Sequence, residues 1–136
     1  MTTDNYDVSL RVRHLTLNAD VICDGVGLPP SRKWSVGEQR STPKGKILEG
    51  CYKESYCSFK LSHGTDESLS EFLMRITSGL KNNASFKEKI ISSGCDIEYF
   101  IGWYITKNTG DTFNQEFLKD IATLGISLAF DIYPSE

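Results

Sequence analysis

Four segments of the chain alternate apolar and polar residues with a period of two, and this pattern constrains the fold more than any other feature. The alternation is clearest in residues 97–105 and recurs around residues 8–12, 52–62 and 126–132. A strand of this kind buries one face and leaves the other in solvent. The sequence therefore predicts one α+β domain over residues 1–136. We expect this domain to consist of a single-layer, mostly antiparallel sheet of about four to six strands with helices packed on one face.

Helices are predicted between these strands where apolar residues recur three or four positions apart. Asn18 is placed to cap a short helix over residues 19–26, which Gly27 ends. Thr65 or Ser68 caps a longer helix. The apolar face of that helix comprises Leu69, Phe72, Leu73, Ile76 and Leu80.

Two further helices show the spacing of a capping box. Ser85 and Glu88 have this spacing before a short helix, and Thr112 and Gln115 have it before the last helix. The predicted order is strand, helix, strand, helix pair, strand, helix, strand. Ile101, on the clearest strand, is expected in the core together with the apolar helix faces.

Residues 31–46 form the least regular stretch of the chain. They are rich in Gly, Ser and charged residues and include one large aromatic, Trp34. This composition predicts an irregular excursion or an open hairpin between the first helix and the second strand.

The charge balance limits the classes of partner. The formal net charge is −3 and the isoelectric point is near 5.4, which argues against nonspecific binding to nucleic acid. A basic or weakly acidic protein partner fits better. The chain has no run of 18 apolar residues, and residues 1–5 are polar and acidic rather than signal-like. We therefore expect a cytoplasmic protein with no membrane partner.

The cysteines are expected to be free thiols. Cys23, Cys51, Cys57 and Cys95 show no CxxC spacing. Cys51 and Cys57 on one extended strand would lie about 20 Å apart, too far to bond. Their spacing relative to His14 and His63 does not support a zinc site. The sequence predicts neither a metal nor another cofactor.

No enzyme motif is present in the sequence. The segment 25–27, GVG, lacks the glycine pattern of a nucleotide-binding loop and closes a helix instead of opening one. His14 and His63 stand at strand ends, where a surface or structural role is usual. Glu98 and Asp131 fall on the same outward side of two strands, an arrangement that can support acid–base chemistry but is commonly solvated. We expect a protein that is not an enzyme and has no catalytic residues.

The outward positions of the strands combine aromatic and charged residues. They are Arg11, Arg13, Tyr56, Lys60, Glu98, Phe100, Tyr104, Asp131 and Tyr133. Tyr, Phe and Arg are enriched at the centres of protein interfaces, so these positions are candidate partner-binding residues. The excursion containing Trp34 either contributes to this surface or folds over it. Stacking of RNA bases on the aromatics is a weaker alternative, because the helix pair breaks the RNA-recognition topology and the chain is acidic.

Short motifs near both ends of the chain resemble a known family. Residues 17–22, 26–30 and 34–38 read LNADVI, VGLPP and WSVGE, and the ending includes LGI at 124–126 and LAFDIY at 128–133. These motifs resemble the bacterial domain-of-unknown-function family 4279. The sequence departs from the family pattern at two positions, with valine at 26 for the usual leucine and valine at 36 where a basic residue is common. The resemblance implies a small bacterial α+β domain with no established chemistry.

Three functional hypotheses follow. Small families of this type often accompany toxin genes as immunity proteins, so the first is a non-enzymatic protein that binds and neutralises a cognate toxin, such as a basic domain that an acidic inhibitor would attract. The second is a small-ligand-binding or regulatory domain with a pocket lined by Trp34 and sheet aromatics. The third is an unrecognised hydrolase that uses Glu98, Asp131 or a histidine.

Overall fold

A five-stranded sheet organises the chain, in a computed structural model that describes residues 5–64 and 66–134. The seven described strands are β1 (Asn5–His14), β2 (Arg32–Trp34), β3 (Gln39–Ser41), β4 (Ile47–Cys51), β5 (Ser55–Leu61), β6 (Asp96–Ile105) and β7 (Ile126–Pro134). The main sheet has the order β2-β5-β1-β6-β7, and β3 and β4 form a separate hairpin. The β6–β7 pair is parallel and the other described pairs are antiparallel. The predicted α+β class with a mostly antiparallel sheet is confirmed.

Helices connect the strands and cover one face of the sheet. They are α1 (Ala19–Val26), α2 (Leu69–Lys81), α3 (Ala84–Phe86), which continues as a π-helical turn over Lys87–Ile91, and α4 (Gln115–Leu124). Apolar residues from these helices and from alternate positions of β1, β5 and β6 form a single core cluster. Leu73 and Ile101 are both completely buried in it, as predicted.

Two tyrosines of the core pair their hydroxyl groups with polar partners, which removes the cost of burying them. The Tyr6 hydroxyl donates to the Glu67 carbonyl oxygen at 2.7 Å. The Tyr99 hydroxyl lies 2.8 Å from the Thr77 hydroxyl in the interior. These contacts fix α2 against β1 and β6.

Asparagine and serine side chains begin the helices. Asn18 and Ser68 are the N-caps of α1 and α2, as predicted, whereas Thr65 lies outside the described residues. Gly27 ends α1 with φ of 79°, the left-handed conformation that favours glycine.

The two predicted capping boxes are wrong. Asn83 caps α3 through a 3.0 Å bond from the Phe86 amide, and Asn114 caps α4 through a 2.9 Å bond from the Phe117 amide. Asparagine is as good an N-cap as serine or threonine. A helix that begins after Asn114 also directs Phe117, Ile121 and Leu124 into the core. The helices therefore begin one residue before Ser85 and three residues after Thr112.

The last strand extends beyond the helices that cover the sheet. Ile126 at its start is 4% exposed, but Phe130 and Ile132 are 40% and 52% exposed. The alternation of residues 126–132 predicts both on the inward, core-facing side of the strand. They lie on the helical side, yet no described helix covers the second half of β7.

The excursion after α1 has more structure than its composition predicts. Its first part, β2, pairs with β5 at one edge of the sheet, and its second part is the β3–β4 hairpin. The second predicted strand begins at Ser55 rather than near Tyr52, because Tyr52 packs on Trp34 instead of continuing the strand.

No helix in the described parts of the chain is long and apolar enough to cross a membrane. Residues 1–4, on which the expectation of no secretion signal rests, lie outside the described residues.

Candidate functional site

The nine candidate partner-binding residues all lie on the face of the main sheet opposite the helices, here called the open face. They are Arg11, Arg13, Trp34, Tyr56, Glu98, Phe100, Tyr104, Asp131 and Tyr133. Strand register places several directly beside each other: Arg11 and Glu98, Arg13 and Tyr56, Trp34 and Tyr56, and Tyr104 and Tyr133. Their role in binding stays a prediction. The structure divides them into two ends with opposite charge.

One end is a groove between the sheet and the β3–β4 hairpin, with a volume of about 580 Å³. Four of the five arginines of the chain line it: Arg11, Arg13, Arg32 and Arg40. Trp34, Tyr52 and Tyr56 form its aromatic wall, and Thr42, Pro43 and Leu48 belong to the hairpin side. We call these residues the arginine groove. Its basic lining contrasts with the net charge of −3 for the whole chain.

Aromatic stacking builds the wall of the groove. The Trp34 ring stacks with Tyr52 at 4.2 Å and with Tyr56 at 4.6 Å between centroids. The Trp34 indole N–H donates to the Glu54 carbonyl oxygen at 3.1 Å. The Tyr52 hydroxyl donates to the Ser41 carbonyl oxygen at 2.9 Å within the hairpin region. Arg32 of β2 donates to the same oxygen at 2.8 Å, and this bond, with the Trp34–Tyr52 stack, holds the hairpin beside the sheet.

The guanidinium groups of the sheet arginines lie over aromatic rings. Arg11 Cζ is 3.6 Å from the centroid of Phe100, Arg13 Cζ is 4.9 Å from Tyr56, and Arg32 Cζ is 5.0 Å from Trp34. Stacking through the flat face leaves the N–H groups at the edge of a guanidinium available for hydrogen bonds.

Two carboxylates partly neutralise the groove. Glu98 lies 3.6 Å from Arg11 and 3.9 Å from Arg13, and Glu54 lies 3.6 Å from Arg13. These distances exceed those of hydrogen-bonded, bidentate ion pairs. In the described part of the chain, the buried Nε of Arg11 has no hydrogen-bond partner. The groove thus keeps an excess of positive charge and of unused donors.

The other end of the open face, here called the tyrosine patch, consists of Asp7, Tyr104, Asp131 and Tyr133. The two tyrosines stack with centroids 5.0 Å apart and are 39% and 45% exposed. They cover Gly102, which is buried. The Tyr133 hydroxyl donates to Asp131, and this bond raises the pKa of Tyr133. Partial desolvation and the nearby Asp7 carboxylate raise the pKa of Tyr104. Both phenols are therefore neutral at physiological pH, beside two acidic residues.

The two histidines and the outward carboxylates each contact other groups: Glu98 lies beside Arg11, and Asp131 accepts from the Tyr133 hydroxyl. His14 accepts at Nδ1 from the Thr16 and Leu17 amides, and its Nε2 lies 2.9 Å from the Ser93 carbonyl oxygen. Both nitrogens of His63 lie near backbone carbonyl oxygens. Both imidazole rings therefore contact the backbone of neighbouring segments, which is a structural role.

All four cysteines are free in the structure. Cys23 and Cys57 lie close together, with their sulfur atoms 3.8 Å apart, a proximity that the sequence did not indicate. Burial, together with Cys23, raises the pKa of the Cys57 thiol. Among residues 5–64 and 66–134, no group of three His, Cys, Asp or Glu side chains is arranged to hold a metal ion.

Sequence reasoning missed four of the charged and aromatic residues of these two sites, Arg32, Arg40, Tyr52 and Asp7. Arg32 and Arg40 belong to residues 31–46, which are predicted to be irregular, so the direction of their side chains could not be assigned. Tyr52 stands at the start of the second predicted strand, but the structure places it before β5, against Trp34. Asp7 stands two residues before Ser9 in the alternation of β1, and that period could have placed it on the open face.

A family model described as a domain of unknown function, DUF4279, matches residues 4–135, nearly the whole chain. No curated protein and no solved structure matches the chain.

Proposed function

The chain belongs to the DUF4279 family, and from this premise we propose that it is a non-enzymatic binding protein whose open face contacts a protein partner. The observation that carries the proposal is the tyrosine patch. Two stacked tyrosines, 39% and 45% exposed, lie at the carboxyl ends of β6 and β7. Exposed tyrosines of this kind contribute strongly to binding energy in protein interfaces.

The charge of the patch favours a basic partner. Asp7 and Asp131 flank the two rings. A lysine or arginine of the partner can contact a ring face and a carboxylate at once, which gives both cation–π and ionic attraction. The net charge of −3 acts in the same direction, because it increases the rate of encounter with a basic protein.

The specific form of this proposal is an immunity protein. In this form the partner is a cognate protein toxin, the chain blocks the toxin in the cytoplasm, and no chemical reaction is involved. Support comes from the exposed patch, the acidic charge and the structural use of both histidines.

The test is purification of the tagged full chain from cells of its own source, followed by binding measurements with the product of the neighbouring gene. We expect one stoichiometric protein partner with nanomolar affinity, and protection of cells that express that partner. A Tyr104→Ala variant should lose the partner. Recovery of no stoichiometric partner, with the neighbouring product also failing to bind, would contradict the proposal.

The arginine groove favours a second candidate, a small-ligand-binding or regulatory domain. Its volume of about 580 Å³ is within the range of small-molecule sites. Its lining combines apolar and aromatic walls with a few concentrated polar donors, the usual composition of such sites. A shift of the melting temperature by metabolites in the absence of any protein partner would support this candidate.

A further inference from the structure

We propose that the arginine groove binds a phosphate-bearing small molecule of the nucleoside diphosphate type, with its phosphates on the arginines and its planar part against the aromatic wall. This inference rests on the ligand-binding candidate above and is independent of the protein partner at the tyrosine patch. It begins from the distribution of arginine. Four of five arginines converge on one groove, whereas the ten lysines of the chain do not line it.

Charge in the groove selects an anion with more than one negative charge. The lining carries four cations and no carboxylate, and the two nearby carboxylates, Glu54 and Glu98, reduce the local charge to an excess of two positive charges. A singly charged carboxylate would leave part of this excess uncompensated. A diphosphate group matches it.

Donor geometry distinguishes phosphate from other anions. Arginine presents five N–H donors in a planar fork that fits phosphate oxygens in pairs. In the described residues Arg32 donates to the Ser41 carbonyl oxygen at 2.8 Å and Arg40 to the Glu49 carbonyl oxygen at 3.1 Å. Each of these guanidinium groups keeps further donors, and the buried Nε of Arg11 is unpaired.

The arginine side chains of the groove are already held in position without a ligand. Arg11, Arg13 and Arg32 are held over aromatic rings at 3.6, 4.9 and 5.0 Å. Their side chains therefore lose less conformational freedom on binding than free arginines would. Tyr52 and Leu48 supply apolar contact area beside the cations, where a nucleobase can lie.

Titration calorimetry on the full chain tests the inference with pyrophosphate, ADP, citrate and a short single-stranded RNA, at low and high salt. We expect ADP to bind with a Kd below about 100 μM and more weakly as salt rises. Arg13→Gln and Arg40→Gln should each weaken ADP binding by about tenfold or more, because each removes hydrogen bonds to a charged group. Arg40→Lys should recover little, since a lysine lacks the fork.

Lys119→Gln is the matched control. It removes the same charge from an exposed position on α4, and it should change ADP affinity less than twofold, roughly the effect of one distant, screened charge. Melting curves of all variants establish that they fold.

The four compounds and the variants distinguish the ways in which the inference could fail. Binding of citrate without pyrophosphate or ADP would overturn the phosphate assignment while keeping the ligand-binding candidate. Binding of RNA alone would overturn the small-molecule assignment. Binding of none of the four compounds, or equal losses for Lys119→Gln and Arg40→Gln, would overturn the inference. The ligand-binding candidate would be overturned as well if metabolites also leave the melting temperature unchanged, and the protein-partner proposal would be unaffected.

Discussion

The rings of Tyr104 and Tyr133 stack with centroids 5.0 Å apart because the parallel register of β6 and β7 places the two residues side by side. Gly102, two positions earlier on β6, lies beneath them; a β-carbon there would make ordinary van der Waals contact, 3.7 Å from the Tyr104 hydroxyl and from the Tyr133 ring. Because the two side chains lie outside the core, substitutions at Tyr104 and Tyr133 can distinguish an effect on partner binding from an effect on stability.

Tyr104→Ala and Tyr133→Ala should each leave the free energy of unfolding nearly unchanged, because neither side chain points toward the core. Each should cost about 2 kcal/mol or more in partner binding, since interface aromatics dominate affinity. Paired melting and affinity measurements check this. Ile132→Ala is the control, because Ile132 is 52% exposed and points to the opposite side of the same strand. Lost stability with unchanged affinity would contradict an interface role for the tyrosines.

Gly25→Ala should destabilise the fold by about 1–3 kcal/mol, although alanine favours a helix. A β-carbon at Gly25 would lie 2.8 Å from Ile90 and 2.9 Å from the Lys89 Cβ, so α1 would have to move from the π-helical turn. Gly79→Ala in α2 meets nothing within 4 Å and should stabilise the protein by up to about 1 kcal/mol. Urea unfolding of both variants measures the contrast. A gain in stability for Gly25→Ala would show that Ile90 and Lys89 move away from the added methyl group at little cost in free energy.

The ion pair between Glu67 and Arg75 should make stability depend on acid pH. Hydrogen bonds from Arg75, and then from the Gly64 amide, lower the pKa of Glu67 from 4.5 to about 2. A carboxylate with a lowered pKa stabilises the fold above the unfolded-state pKa, and this stabilisation is lost as pH falls toward 2. Because Arg75 is 54% exposed, solvent screening limits the contribution to about 1 kcal/mol.

Glu67→Gln should therefore lose about 1 kcal/mol at neutral pH and almost nothing near pH 2. Urea unfolding across this pH range measures the difference from the parent chain. Glu116→Gln, exposed in the first turn of α4, is the matched control. A Glu67→Gln deficit that persists unchanged in acid would show that the ion pair is not its cause.

Alkylation should add four groups to the denatured chain, because all four cysteines are free. In the native protein Cys51, which is exposed, should react first and Cys57 last. Cys57 is completely buried, and burial raises its pKa and so lowers its thiolate fraction. Peptide mass mapping over time checks the order, and Cys51→Ser should remove the fast phase. Two additions that return to four on reduction would instead indicate a Cys23–Cys57 disulfide.

Local spacing was sufficient to predict one side of the sheet. Once Val8, Leu10 and Val12 are assigned to the core, the period of two places Arg11 and Arg13 on the opposite face. The same argument placed Phe100, Tyr104 and Tyr133 there. Asn18 and Gly27 likewise determined both ends of α1, because helix caps act over a few residues.

The sequence by itself therefore determined most of the element types, most of the core and most of the open face, since each depends on neighbours within a few positions. Only the tertiary structure decided that β5 lies between β2 and β1, and that the hairpin stands beside them. These long-range pairings bring Arg11, Arg32 and Arg40 into one groove and leave the tyrosine patch uncovered. No local pattern contains that information, because it depends on which surfaces of distant segments bury each other in the folded chain.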